Sequence, residues 1–103
     1  MSVLLEFSMF PTDKGESVSG YVSRIIKTIH ESGYDYKLTP MGTIVEAETM
    51  DEILDLIRKS YACLAGDCDR IYSSLKLDIR KGKSGRLMGK IQSVEEKIGK
   101  VNT

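Results

Sequence analysis

The spacing of apolar residues changes period repeatedly along this chain, and each change of period marks a change of secondary structure. From Ser2 to Phe10 the pattern alternates: Val3, Leu5, Phe7 and Met9 share one face, and Leu4, Glu6, Ser8 and Phe10 the other. Period two is the repeat of a strand. Pro11 to Gly15 reads as a loop, because proline cannot extend a ladder and glycine frees the backbone. Val18, Tyr21, Val22, Ile25, Ile26 and Ile29 then recur at helical spacing, which predicts a helix starting at Glu16 or Ser17 and closing on Gly33. Two short strands follow, Tyr34–Thr39 and Thr43–Glu48, joined through Pro40-Met41-Gly42 as a hairpin. Thr49 with Glu52 is a capping box for a second helix carrying Ile53, Leu56, Ile57 and Leu64 and stopping at Gly66. Arg70–Arg80 predicts a long strand, and Lys81 to Gly85 breaks it.

The last segment, about residues 85–100, is helical again. Leu87, Ile91, Val94, Ile98 and Val101 form a narrow heptad-like seam. The seam packs either on the chain's own sheet or on a partner subunit. The order β-α-β-β-α-β-α is that of a split βαβ, or ferredoxin-like, α+β domain spanning residues 1–103. Right-handed crossovers put the first two helices on one face of a four-stranded antiparallel sheet of order 4-1-3-2, with the C-terminal helix as an addition.

Composition removes several classes of function. Fifteen basic residues balance fifteen acidic ones, so nucleic acid is not an expected partner. No apolar stretch approaches the roughly 20 residues that span a bilayer. The start, Met1-Ser2-Val3-Leu4-Leu5-Glu6, lacks the basic region of a signal peptide, and the cytoplasm is the expected compartment. Cys63 and Cys68 are then expected as thiols. Their C-x4-C spacing and the lone His30 make no zinc pattern, and no metal is expected.

The sheet face under the helices must be apolar. That assigns Val3, Leu5 and Phe7 inward from the first strand, Val45 and Ala47 from the third, Leu75, Leu77 and Ile79 from the fourth, and Tyr36 and Leu38 from the second. The other face is bare within one copy and decides function. It is expected to carry Leu4, Glu6, Ser8, Lys37, Thr39, Ile44, Glu46, Lys76, Asp78 and Arg80. Glu6 and Glu46 lie on adjacent central strands, where two carboxylates cost energy unless a cation joins them. Lys76 and Arg80 are the candidate cations. Such a face is either a solvated charge ladder or, roofed by a second sheet, a pocket for a small polar or cationic ligand.

Other uses of the fold find no support. The outward central positions hold Glu6, Ser8, Ile44 and Glu46 rather than the stacking aromatics of an RNA binder. The only asparagine, Asn102, is near the C-terminus, and the first loop has no cysteine pair. No nucleophile–base pair is visible, and His30 reads as a surface residue of the first helix, so no enzyme is expected.

Leu5-Glu6-Phe7-Ser8-Met9-Phe10-Pro11, then Lys14-Gly15-Glu16-Ser17-Val18-Ser19, then Pro40-Met41-Gly42-Thr43 with Glu46, resemble in matching order the small thiamine-binding-protein family. Asp78-Ile79-Arg80-Lys81-Gly82 and Ser93-Val94-Glu95 fit the same pattern, and Ala47 departs from it where glycine is expected. The resemblance implies a ferredoxin-like protomer assembled into dimers or tetramers. It also implies binding of thiamine or its hydroxymethylpyrimidine part without catalysis and with no further cofactor. The chemistry is compatible: Glu6 or Glu46 can offset the thiazolium cation or accept from the exocyclic amine. Ser8, Thr39 and Thr43 can supply neutral hydrogen bonds. With Lys37, Ile44 and Lys76 these are the expected ligand-binding residues.

Overall fold

A computed structural model describes every residue from Met1 to Thr103. Its elements are β1 (Ser2–Pro11), α1 (Ser19–Ser32), β2 (Asp35–Thr39), β3 (Gly42–Ala47), α2 (Met50–Ala65), β4 (Ile71–Arg80) and α3 (Arg86–Ile98). The strands form one antiparallel sheet of order β2-β3-β1-β4, as the crossover rule requires. This is the expected ferredoxin-like α+β arrangement. No helix is long and apolar enough to cross a membrane.

Local signals fix most element ends. The capping box of α2 is complete: Thr49 Oγ1 accepts from the Glu52 amide at 3.1 Å, and Glu52 Oε1 accepts from the Thr49 amide at 3.1 Å. Gly33 closes α1 in the left-handed conformation, φ 81°. The hairpin turn is held by the Thr39 hydroxyl, which donates to Gly42 O and accepts from Met41 N. The expected start of α1 at Glu16 or Ser17 is too early. The helix begins at Ser19, and Val18 at its N-cap offers no side-chain acceptor. Pro11 closes β1 rather than opening the loop, opposite Ile71.

Val3, Leu5, Phe7 and Met9 of β1, Val45 and Ala47 of β3, Ile25 and Ile29 of α1, and Ile53, Leu56 and Leu64 of α2 form one buried cluster. The inward assignment of β1 and β3 therefore holds. For β4 it holds only in direction. Leu75, Leu77 and Ile79 stand opposite Phe7, Leu5 and Val3, on the helix side, yet remain 41–49% exposed. The reason is placement: α1 and α2 pack mainly on β1 and β3 and leave this stretch of the edge strand uncovered, although Ile71 at its start still packs on the core. Leu38 is likewise inward by register and exposed at its edge. Cys63 and Cys68 are free thiols, half-buried and buried.

Candidate functional site on the open sheet face

The strand register lays out the face opposite α1 and α2 as rows. One row runs Lys37, Ile44, Glu6, Lys76; the next, toward the start of β1, runs Asp35, Glu46, Leu4, Asp78. In the other direction lie Thr39 opposite Gly42, Ser8 opposite Ser74, and Phe10 opposite Tyr72. The sequence led us to expect a face bare within one copy; it is not bare throughout. The first turn of α3 sits on the Glu46 end of it.

Glu46 is the anchor. Its Oε2 accepts from the Arg86 amide at 3.0 Å and its Oε1 from the Leu87 amide at 2.9 Å. Gly85, the N-cap residue, has no side chain to do this, so a carboxylate from β3 supplies both acceptors and meets the positive end of the helix dipole. Arg86 closes the joint from the other side. Its Nε donates to Ser2 Oγ, its Nη2 to Ser2 O and Asp78 O, and its Nη1 pairs with Asp78 Oδ2 at 2.9 Å. Burial pushes the Glu46 carboxyl up. The two amides, the Ser2 hydroxyl and the Arg86 charge outweigh it and hold the carboxyl below the usual range.

Glu6 has a different environment. It lies diagonal to Glu46, opposite Ile44 on one side and Lys76 on the other. Its ion pair with Lys76 is loose, 3.8 Å, and its side chain is 56% exposed. The two carboxylates therefore do not form the adjacent pair expected from the sequence: Glu46 is spent on α3, and Glu6 faces outward. Ser8, Ile44, Lys37 and Thr39 share the open face with Glu6, half-buried, and Lys76 is exposed beside it. Thr43 lies on the other face by register, opposite Phe7 on the helix side and 4% exposed, and meets Ser8 and Thr39 only at the sheet end, where all three line a largely apolar cavity of about 360 Å³ between α1 and the hairpin. That cavity carries no charged side chain.

Two residues of the face were not among those read from the sequence as ligand-binding. Phe10 and Tyr72 stack at a tilt, centroids 5.9 Å apart, beyond Ser8. The alternation of the first strand already put Phe10 on this face, and carrying it back along the fourth strand to Tyr72 would have completed the pair. A further cavity of about 300 Å³ opens between α3 and the outer strands, beside Lys37, Asp35 and Met88. The arrangement offers an outward carboxylate, hydroxyls at Ser8 and Ser74, an aliphatic surface at Ile44 and an aromatic pair. That set can bind a flat, cationic or amine-bearing ring. No group of three or more His, Cys, Asp or Glu side chains is placed to hold a metal ion. His30 is exposed, and its Nδ1 meets the Tyr36 hydroxyl at 2.7 Å, away from this face.

Known proteins share this sequence pattern and this fold. A UPF0045 protein of Methanocaldococcus jannaschii is 35% identical over 94 residues, covering 91% of this chain and 93% of its own length. A UPF0045 protein of Methanothermobacter thermautotrophicus is 35% identical over 83 residues, 80% of this chain and 84% of its own. The crystal structure of the M. jannaschii protein superposes with a TM-score of 0.81 over 92% of this chain and 97% of that one. A Thermotoga maritima protein assigned provisionally to thiamine biosynthesis or salvage shares the fold at 23% identity, with a TM-score of 0.73 over 95% of this chain and 96% of its own. The family model described as thiamine-binding protein matches residues 5–95, which takes in nearly the whole sheet, α1, α2 and most of α3, and this chain belongs to that family.

Proposed function

We propose that the chain is a non-catalytic binding protein that takes thiamine, or its hydroxymethylpyrimidine part, on the open sheet face at a contact between copies of itself. The observation that carries this reading is Glu6: an outward carboxylate on a central strand, flanked by Ile44 and Ser8, with only a loose cationic partner. The family description and the provisional thiamine assignment of the T. maritima protein support the choice of ligand. Glu6 offsets the thiazolium or accepts from the exocyclic amine, Ser8 and Thr39 line the approach, and Lys37 and Lys76 bound it.

Self-association is part of the reading. The outer edge of β4 has no partner strand, and Leu75, Leu77 and Ile79 stand exposed along it. Such an edge is a template for another strand. Antiparallel self-pairing centred on Leu77 sets Leu75 against Ile79 of the other copy and Lys76 against its Asp78. Both the apolar row and the charges are then complementary. Drawing Lys76 toward the second copy frees Glu6 for the ligand.

Isothermal titration is the direct test. Thiamine and hydroxymethylpyrimidine are expected to give saturable heat and to raise the melting temperature. No heat and no shift at ligand concentrations on the order of 1 mM, an affinity limit of about 4 kcal/mol, removes the claim. The exposed β4 row also favours a second reading, an interaction module that assembles without a ligand. Sedimentation addresses what both share: a dimer or larger species is expected, and a monomer at all concentrations sinks both.

A further inference from the structure

The sequence from Arg80 to Ser93 holds Arg80, Lys81, Lys83, Arg86 and Lys90 and no carboxylate, in a chain whose charges balance only as a whole. The fold turns part of this run into a concave surface. A cavity of about 290 Å³ lies on the open face between the end of β4 and α3, walled by Arg80, Lys83, Arg86 and Lys90. Its one carboxylate, Asp78, is already paired with Arg86. Four cations against one carboxylate leave a local surplus of positive charge in a recess, where field lines concentrate.

Arg86 makes this more than a set of mobile lysines. Its side chain is 7% exposed and fixed by four contacts to Ser2 and Asp78. A guanidinium has five N–H bonds. Nε and both Nη2 hydrogens are taken up by Ser2 and Asp78, whereas Nη1 has only the ion pair with Asp78, on a side chain that lines the recess. Ser93 adds a hydroxyl, and Gly89 leaves the α3 wall without bulk. The recess holds several water-sized groups, at about 30 Å³ each, which is room for one or two phosphates.

Its position relates it to Glu6. Leu4 lines the recess and is two residues from Glu6 on the same face of β1, about 7 Å along the strand. We infer that this recess is an anion site that takes the phosphate of a phosphorylated ligand whose cationic ring rests on Glu6, so that the protein prefers the phosphate esters of thiamine to the free alcohol. This rests on the binding reading above for the ring and stands on its own for the anion.

Calorimetry with thiamine, thiamine monophosphate and inorganic pyrophosphate tests it, on the full chain and on the double variant Lys83→Ala/Lys90→Ala. These two side chains are exposed and hold no part of the fold. The monophosphate is expected to bind at least tenfold tighter than thiamine at low salt, with the gap narrowing as salt rises. The double variant is expected to bring the two within about twofold while leaving thiamine affinity unchanged. Equal affinities in the natural chain, or a preference that survives in the double variant, overturns the anion site and leaves the Glu6 reading standing. Pyrophosphate bound by the natural chain and lost in the variant, with no binding of thiamine, upholds the anion site and overturns the Glu6 reading. No binding of any of the three overturns both.

Discussion

Glu46→Ala is expected to release the first turn of α3 from the sheet and to lower the unfolding free energy by about 2–4 kcal/mol. The size follows from what the carboxylate holds. It accepts from two helix-terminal amides, Arg86 and Leu87, and charge-assisted bonds of this kind contribute about 1.5–3 kcal/mol each when buried partners are left unmet. The glycine at the N-cap offers no substitute. Water reaching the freed turn recovers part of the loss, which keeps the figure below the plain sum. Glu46→Gln keeps one acceptor oxygen but turns an NH2 toward an amide hydrogen and removes the charge facing the helix dipole. About half the loss is expected from it. Two measurements separate global from local effects: denaturant unfolding, and tryptic cleavage at Lys81 and Lys83, which speeds when α3 lifts. An unchanged midpoint together with unchanged cleavage would mean that Glu46 contributes nothing to holding the helix.

The same joint has a pH signature. The Glu46 carboxyl lies below its usual range in the folded chain. Its stabilisation is therefore complete above the unfolded value, about 4.3, and is lost as pH falls through the lower folded value. Cleavage near Lys83 should stay slow from neutrality to about pH 5 and rise at more acid pH with an acid-active protease. In Glu46→Gln that rise should be absent, because the titrating group is gone.

What could be read from the sequence divides along the range of the interactions. The capping box at Thr49, the αL glycine at Gly33, the hairpin and the alternation of β1 and β3 depend on residues a few positions apart, and the periodicity carried them. Strand order followed from the handedness of crossovers. The docking of α3 on the open face did not follow, because its acceptors come from Glu46, some forty residues away. The local sequence even pointed away from it: Ser84 reads as a ready cap for a helix starting near residue 85, yet the N-cap residue is Gly85 and no side chain beside it caps the helix. The exposure of Leu75, Leu77 and Ile79 was hidden for another reason. Periodicity gives the face on which a residue lies, not whether a helix reaches it. Thr43 was legible and misread: alternation with Val45 and Ala47 already put it on the core side. Glu6 and Glu46 looked equivalent because both are outward glutamates of central strands. Only the third dimension distinguishes the one that holds a helix from the one that faces solvent.

That distinction gives the second large effect. Glu6→Gln is expected to weaken thiamine binding by about tenfold to a hundredfold without changing the fold. Loss of a charge-assisted contact of about 1.5–3 kcal/mol corresponds to that range at 1.4 kcal/mol per decade. The fold is indifferent because Glu6 is exposed and its only protein partner is Lys76 at 3.8 Å. Exposed pairs of this kind contribute about 0–1 kcal/mol. The substitution also separates the two roles open to the carboxylate. Glutamine still accepts a hydrogen bond from an exocyclic amine but no longer offsets a cation. If Glu6 faces the thiazolium, thiamine loses affinity and hydroxymethylpyrimidine, which has no such cation, keeps most of its own. If Glu6 accepts from the amine, both weaken by similar, smaller factors, and Glu6→Ala weakens both further. Lys76→Ala removes the competing cation and should tighten thiamine binding by a fewfold. Glu6→Gln and Glu6→Ala with affinities equal to the natural chain, in protein of unchanged melting temperature, would remove Glu6 from the site and with it the open-face pocket.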